Sequence, residues 1–535
     1  MIKVLIISFS DDNDNNIQTS VNVVSSIQQA MAISKTLRYA QVACACIWCL
    51  FSAGIVFGFA ALKPILISEG VYHELCDPED GDGLCTAQDL KLNFIFALSA
   101  TVTNVMALPV GKILDIYGPR VCGFIGSGFL FLACGNFISA RHLMSVWDPY
   151  LIGYTLLAIA GPFVFISCFQ LANSFPQRSG TILALLTGSF DSSSALFLIY
   201  RLLYQNWYPD LRVSKFFTLY LIVPMFILVC QLTVMPHSSY KTVNHIAKIA
   251  VEGLDENGRL VEGDTGSNII PNEQERQALI AMEEDEEDRV PNVPPRRRKS
   301  VLETYVEGKL QKKSGGIFGV LHGKSASEQI KSPWFYLMLL FALVAMLRIN
   351  YFIATVRTQE EYLLNDKKLA LKLNSIFDML LPIGGVISIP FIGLLLDHTD
   401  TLTTLTVLFT TSTAIGIFGL IPHSFNLNLI GIALLVVYRP FYYTVVSDYS
   451  SKVFGFDTFG TVYGLLSCIC GIFNMGQNLL DKWTHTTFNM NPFPINLVLV
   501  ILTIVFSLTI TFFIRAQILH KPREERALSF NYQSM

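Results

Sequence analysis

Asp191 lies in the middle of "LLTGSFDSSSALFLIY", residues 185–200, with apolar residues on either side. An ionised group at the centre of a bilayer costs roughly 2.5–3.5 kcal/mol on insertion scales, so such a residue faces a cavity or a partner. Other polar residues stand in apolar stretches: Arg439 at mid-span, Asn474 as the repeat counterpart of Asp191, Asn350, Arg348 and Asp378, the last two closer to the outer face, and, as lesser candidates, Gln170 and Asn173. Two carboxylates and two guanidiniums can balance, and the sequence leaves open which of Asp191, Asp378, Arg348 and Arg439 pair. Ser192, Ser193 and Ser194 add hydroxyls after Asp191. Arg439 precedes Pro440, which frees a backbone carbonyl in a helix, and "RPFYY" adds the phenols of Tyr442 and Tyr443. A cation for a carboxylate, acceptors for an ammonium and apolar walls are the set that a small zwitterion needs. The same arginine also suits a monocarboxylate.

The elements that position these residues are apolar runs. The chain has 535 residues, 52% hydrophobic and 15% charged, against about 25% charged in soluble domains. Runs this long read as transmembrane helices. Twelve are expected, over 42–66, 90–114, 120–140, 150–174, 180–204, 216–236, 333–355, 370–396, 402–422, 427–447, 460–480 and 494–516. An even count puts both termini on one side. Lys35, Arg38, Lys112, Arg120, Arg178, Arg515, Lys521, Arg523 and Arg526 share it, so the charge bias makes it cytoplasmic. The side expected to hold both termini is termed inner and the opposite side outer. The outer loop 68–89 carries seven acids and no Lys or Arg. Lys367, Lys368 and Lys372 run against the bias, and Lys63 is expected to snorkel to the outer surface.

Nine of the eleven cysteines fall in spans, where a thiol behaves as a small apolar group. Cys76 and Cys85 bracket "DPEDGDGL" in the outer loop, where an oxidising environment would support a local disulfide.

The expected organisation is an N-terminal segment 1–41, a six-helix bundle 42–236, a linker 237–332, a second bundle 333–516 and a tail 517–535. The linker carries "EEDEEDR" and "PPRRRKS" and reads as largely disordered. The bundles repeat one another at an offset of 280–283 residues. "GKILD" answers "GLLLD", "GTILALLTG" answers "GTVYGLLS", and "GSFD" answers "GIFN". Parallel six-span repeats around a midplane site are a transporter architecture.

At the end of span two, "GKILDIYGPR" places Gly111 for close helix approach and Asp115 at the carboxyl end of its helix. The dipole disfavours an anion there, so Asp115 needs a cation or the N-terminus of another helix. Gly118 and Arg120 follow across a turn. A latch formed in one conformation is the functional reading; a permanent loop staple is the alternative. Gly111-x-x-x-Asp115-x-x-Gly118-x-Arg120 resembles the signature loop of the major facilitator superfamily. The second copy keeps Gly393 and Asp397, the latter as a second gating candidate, and lacks the later glycine and cation. "GSFDSSSALF" and "RPFYYTVVSDYSSKVFGFDTFGTVYGLLS" resemble solute carrier family forty-three and its fungal relatives. The resemblance implies an all-α fold of twelve helices in two pseudo-symmetric bundles and facilitated passage of large neutral amino acids.

Other signals are weaker. "GVLHGKS" is one residue short of a phosphate-binding loop and follows no strand, and "DGDG" is too short for a calcium loop. There is no HExxH, nucleophile elbow or paired CxxC, so no enzymatic reaction centre, metal or cofactor is expected. The net charge of -3 argues against nucleic acid. Expected partners are a small solute, the bilayer, and adaptor or kinase contacts on the linker. Glu275, Leu279 and Ile280 form an acidic dileucine pattern, which favours a vacuolar or lysosomal membrane over the plasma membrane. Ser300 follows a basic run, as kinases of basic specificity prefer. A sensor that binds without flux is the reading from another class.

Overall fold

The computed structural model describes residues 35–76, 85–175, 178–236, 240, 310–312 and 314–533, with backbone only for 35, 36, 86, 378 and 520–533. The chain divides into two units, 1–40 with 240–309 and 41–239 with 310–535. Nearly all of the spanning helices belong to the second unit. Ser300 and the dileucine pattern lie outside the described residues, as does the side chain of Asp378.

Among the described residues every regular element is helical, and eleven helices plus one bent pair are long and apolar enough to cross a membrane. In chain order they are α1 (the pair Leu37–Ala53 and Ile55–Ser68), α2 (Ala87–Tyr117), α3 (Pro119–Ile138), α4 (Pro149–Ser174), α5 (Ser179–Asn206) and α6 (Val213–Thr233). The second set is α7 (Pro333–Leu364), α8 (Lys367–His398), α9 (Thr401–Phe418), α10 (Phe425–Phe454), α11 (Phe459–Thr486) and α12 (Phe493–Leu519).

Several helices outrun the apolar windows read from the sequence. α7 continues to Leu364, where an Arg357–Glu361 pair at 3.1 Å supports its last turns. Asp366 then caps α8 by accepting from Lys368 and Leu369 N–H, so Asn365, at φ 51°, is nearly the whole hairpin. Water-facing turns held by caps and i,i+4 pairs carry no hydropathy signal.

α1 bends by 45° where Gly54 interrupts it. The break is specified by contact: Gly54 N–H donates to Ser193 Oγ at 2.9 Å, and a Cβ there would meet Phe190 O at 2.8 Å. α5 breaks just after Asp191, between helical stretches Ser179–Ser192 and Ala195–Asn206. α11 breaks at the corresponding place, between Phe459–Asn474 and Gln477–Thr486. The repeat thus extends to where the helices fail.

The inner halves of α5 and α11 pack across the molecule on α8 and α2, while their outer halves pack on α1 and α7 of their own bundles. The two bundles therefore meet at the inner end. At the outer end the first bundle is stapled to itself. Lys63 pairs with Asp89 at 2.6 Å instead of simply snorkelling, and Lys91 pairs with Asp148 at 3.2 Å.

The end of the expected linker is folded. Ile317, Phe318 and Leu321 are buried, Ser325 and Glu328 form a capping box on a short helix Ala326–Ile330, and Gly319 and Leu321 N–H donate to Lys452 and Val453 O. Its three buried apolar residues are too sparse among glycines and polar residues to register as a periodic pattern.

Cys76 and Cys85 are bonded. Closing a loop of this size stabilises a folded state by about 2–3 kcal/mol on the chain-entropy model. Mass spectrometry of intact protein alkylated without reductant is expected to find this pair unmodified and joined; two alkylated thiols would contradict the bond.

Candidate functional site

The bundles contribute one charge each to a buried pair. Arg439 Nη2 on α10 stands 3.6 Å from Asp191 Oδ1 on α5, with side chains 8% and 3% exposed. Each sits near the middle of its helix, so the pair lies at membrane mid-depth. The distance is that of an ion pair and exceeds a hydrogen bond. Both carboxylate oxygens of Asp191 and Nε of Arg439 are buried without a hydrogen-bond partner. Phe57, from the broken part of α1, places its ring 5.8 Å from the guanidinium. Tyr443, one turn beyond Arg439 on the same face of α10, lies beside it. Phe190, next to Asp191 in sequence, has its ring 5.9 Å from that of Phe57 and stacks on Phe165 at 4.5 Å. Thr187 and Thr444 join α5 to α10 through hydroxyls 2.5 Å apart.

Such a pair is poised for exchange. Removing two charges from water is costly, and their attraction offsets the cost only when the remaining lone pairs and protons are also satisfied. Here they are not. A ligand with a donor cation and an acceptor anion would complete both groups at once.

The other sequence candidates distribute differently. Ser192 Oγ donates to Pro382 O on α8 at 3.2 Å, so it joins the bundles beside the pair. Ser193 is committed to the α1 break and to Phe190 O. Tyr442 OH donates to Ala342 O on α7, holding α10 within its own bundle. Asn350 Nδ2 donates to Asn474 Oδ1 at 3.1 Å, tying α7 to the break in α11. Arg348 turns into the second bundle, where it donates to Thr503 Oγ1 at 3.3 Å and to Ser412 O. It lines a small cavity there with Glu360, Asn428 and Asn496. Gln170 lines a cavity within the first bundle with Trp48, Gln231 and Met235. Arg348 and Tyr442 thus bond within their own bundle rather than across the gap. Charge and depth alone do not reveal which way a side chain points around its helix.

The inner end carries a second arrangement, and it occurs twice. Asp115, ending α2, accepts from Gly460 N–H at 2.9 Å, Thr461 N–H at 2.7 Å and Thr461 Oγ1 at 2.5 Å. Asp397, ending α8, accepts from Gly180 N–H at 2.8 Å, Thr181 N–H at 3.2 Å and Thr181 Oγ1 at 2.5 Å. Each carboxylate therefore caps the N-terminus of a helix in the opposite bundle, where unpaired amides and the helix dipole favour an anion. The partner of Asp115 is thus a helix N-terminus. Arg120 instead donates to Leu232 O at 3.4 Å and packs over Phe124 within the first bundle. Asp397 makes the full set of bonds although its loop lacks the glycine and cation of the first copy. Gly111 is required at the crossing, because a Cβ there would collide with Gly460 O. Gly118 turns the chain between α2 and α3 at φ 82°. The "GT" pair is visible in the sequence as a repeat; its role as a receptor for a carboxylate is not.

Sequence and structure comparisons agree with this fold. The Major Facilitator Superfamily profile matches residues 48–475. The chain is 87% identical to Protein FMP42 of Saccharomyces cerevisiae over 506 residues, 94% of this chain and 100% of that one. It is 33% identical over 165 residues to Equilibrative nucleobase transporter 1 of Bos taurus, spanning 30% of this chain and 33% of that one. It is 26% identical over 218 residues to Large neutral amino acids transporter small subunit 3 of Homo sapiens, spanning 38% and 39%. Among solved structures, the proton:xylose symporter XylE shares the fold with a TM-score of 0.54 at 12% identity, covering 88% of this chain and 95% of that one. FucP in its outward conformation does so with a TM-score of 0.52 at 10% identity, covering 88% and 98%.

The two caps have matching bonds, so they should matter equally. Asp115→Asn and Asp397→Asn are each expected to raise the inner-open population roughly tenfold, as loss of a charge-assisted hydrogen bond implies. Single-molecule energy transfer across the inner end checks this. A response confined to Asp115→Asn would show the second cap to be idle.

Proposed function

Because the chain belongs to the major facilitator superfamily, we propose that it carries a neutral amino acid across a membrane by alternating access. Asp191 takes the substrate ammonium and Arg439 its carboxylate. The observation that carries this reading is the partner-poor pair, one charge from each bundle, 3.6 Å apart at mid-depth. Its net charge is zero, so it matches a zwitterion and gives no advantage to a lone anion, which Asp191 would repel. That argues against the monocarboxylate reading. In the inner-closed arrangement the substrate enters from the outer side, parts Asp191 from Arg439 and takes over both charges. Release follows when the inner caps part and the bundles rock. Distant relatives named as amino acid transporters support this substrate class.

A second reading is a nucleobase. Phe57 at the guanidinium and Phe190 against Phe57 offer flat apolar walls, and one partial relative is named for nucleobases. A vacuolar or lysosomal membrane with both termini in the cytoplasm completes the proposal, resting on the dileucine pattern and the charge bias.

The test is uptake into vesicles reconstituted with the whole protein. Radiolabelled leucine or phenylalanine is expected to enter, with arginine, glutamate, lactate and adenine excluded; adenine uptake alone would select the second reading, and binding without uptake would select a sensor. Asp191→Asn alone strands a buried cation and is expected to lower abundance. Asp191→Asn with Arg439→Gln removes the whole pair, so it should reach the membrane in normal amount and lose at least about 90% of uptake. Near-normal uptake by that double variant contradicts the site.

A further inference from the structure

We propose that Gln329 is a positioning residue for the inner gate: it holds the Thr458 hydroxyl away from Thr458's own helix, which leaves the amides of that helix for Asp115 of the opposite bundle.

Thr458 is the N-cap residue of α11. A threonine there ordinarily turns its hydroxyl onto the N2 or N3 amide of its own helix. Those amides belong to Gly460 and Thr461, the two that Asp115 occupies. Thr458 makes no such cap. Its hydroxyl donates instead to Gln329 Oε1 at 2.6 Å, with a longer contact to Phe454 O at 3.4 Å. Its backbone, at φ -122° and ψ 5°, departs from the extended geometry of an N-cap, as does that of Arg178 at the start of α5 (φ -118°, ψ 25°), so this feature goes with the trans cap and the hydroxyl contact alone is particular to Thr458. The ordinary arrangement occurs elsewhere in this chain, although Ser424 at the start of α10 also makes no side-chain cap. Ser332 and Asp400, at ψ 150° and 157°, cap their own helices through their side chains.

Gln329 is fully buried and fully engaged. Its Nε2 donates to Phe454 O at 2.9 Å, Leu321 O at 3.0 Å and Lys324 O at 3.3 Å. It therefore bridges the carbonyl of Phe454, the last residue of α10, and the N-cap residue of α11, from a folded segment that precedes α7. That segment is fixed by Gly319 and Leu321 N–H on Lys452 and Val453 O, and by His322 Nε2 at 3.0 Å from Lys452 O. The other gate has no such competitor. The residue at the N-cap of α5 is Arg178, which has no hydroxyl and makes no side-chain cap. The two caps match in bonds and differ in this control, which gives the segment before α7 leverage over one of them.

Freed from Gln329, Thr458 can relax toward the extended backbone of an N-cap, turn its hydroxyl to the amide of Thr461 and compete with Asp115. Gln329→Leu should then favour the inner-open conformer, and removal of the competing hydroxyl should restore closure. This rests on the inner caps acting as a gate, so Asp115→Asn serves as the reference. The readout is the distance distribution between spin-labelled unnatural amino acids at Tyr117 and His398, measured on full-length protein in nanodiscs after matching abundance and monodispersity. Relative to wild type, Gln329→Leu is expected to raise the ratio of long to short distances roughly three- to tenfold, the scale of a weakened helix-terminus anion. Gln329→Leu with Thr458→Val should return to within about twofold of wild type. If Asp115→Asn shifts the distribution and Gln329→Leu does not, the inference falls. It falls equally if the double variant is as open as Gln329→Leu, because Gln329 would then be a scaffold only. If Asp115→Asn shifts nothing, the gate itself is wrong and the inference goes with it.

Discussion

A carboxylate capping a helix it does not belong to is the interaction on which the arrangement of this protein depends. The first amides of a helix have no partner within it, and lipid supplies none. At the inner ends of α5 and α11 that need is met by Asp397 and Asp115 from the opposite bundle. A carboxylate reaches such amides only if the helices touch. Hence the glycines: a Cβ on Gly111 would strike Gly460 O, and one on Gly393 would stand 2.8 Å from Thr181 Oγ1. In the proposed alternating-access cycle the bonds exist only while the bundles are closed at this end, so there they favour one conformer over another instead of adding uniform stability.

The midplane follows the same two-fold logic and then departs from it. α5 and α11 both break where their inner and outer halves join, after Asp191 and Asn474. Only the first carries a charge. Asn474 is paired with Asn350 inside the second bundle, whereas Asp191 faces Arg439 across the gap. Duplication supplies symmetric hinges and caps; divergence at one break makes a polar site whose partners lie in different bundles. A buried pair with so few hydrogen bonds is weak as a structural device. That weakness suits a group that exchanges partners during transport.

Much of this is legible in the sequence. Hydropathy runs point to twelve helices because lipid demands continuous apolar stretches. The repeat points to two bundles, since "GKILD" and "GLLLD" fall at one offset. Asp191 and Arg439 stand out because ionised residues at that depth are costly. Orientation is not legible. Arg348 and Arg439 look alike in sequence, yet one turns to Thr503 and the other to Asp191. The trans caps are half legible: the need of Asp115 for a cation or a helix N-terminus follows from the dipole, but the choice between them is tertiary. Phe57 and Gln329 carry no signal, because an apolar residue in an apolar span and a glutamine in a polar linker are both ordinary.

The most direct measurement is residue-resolved hydrogen exchange of the Thr181 and Thr461 amides in the full-length protein in nanodiscs. Both are expected to be protected well beyond free helix N-termini. They should also lose protection through one shared opening with the same free energy, since a single rocking motion breaks both caps. Thr181 and Thr461 exchanging independently, or either one at the rate of an uncapped terminus, would contradict a gate closed by paired caps.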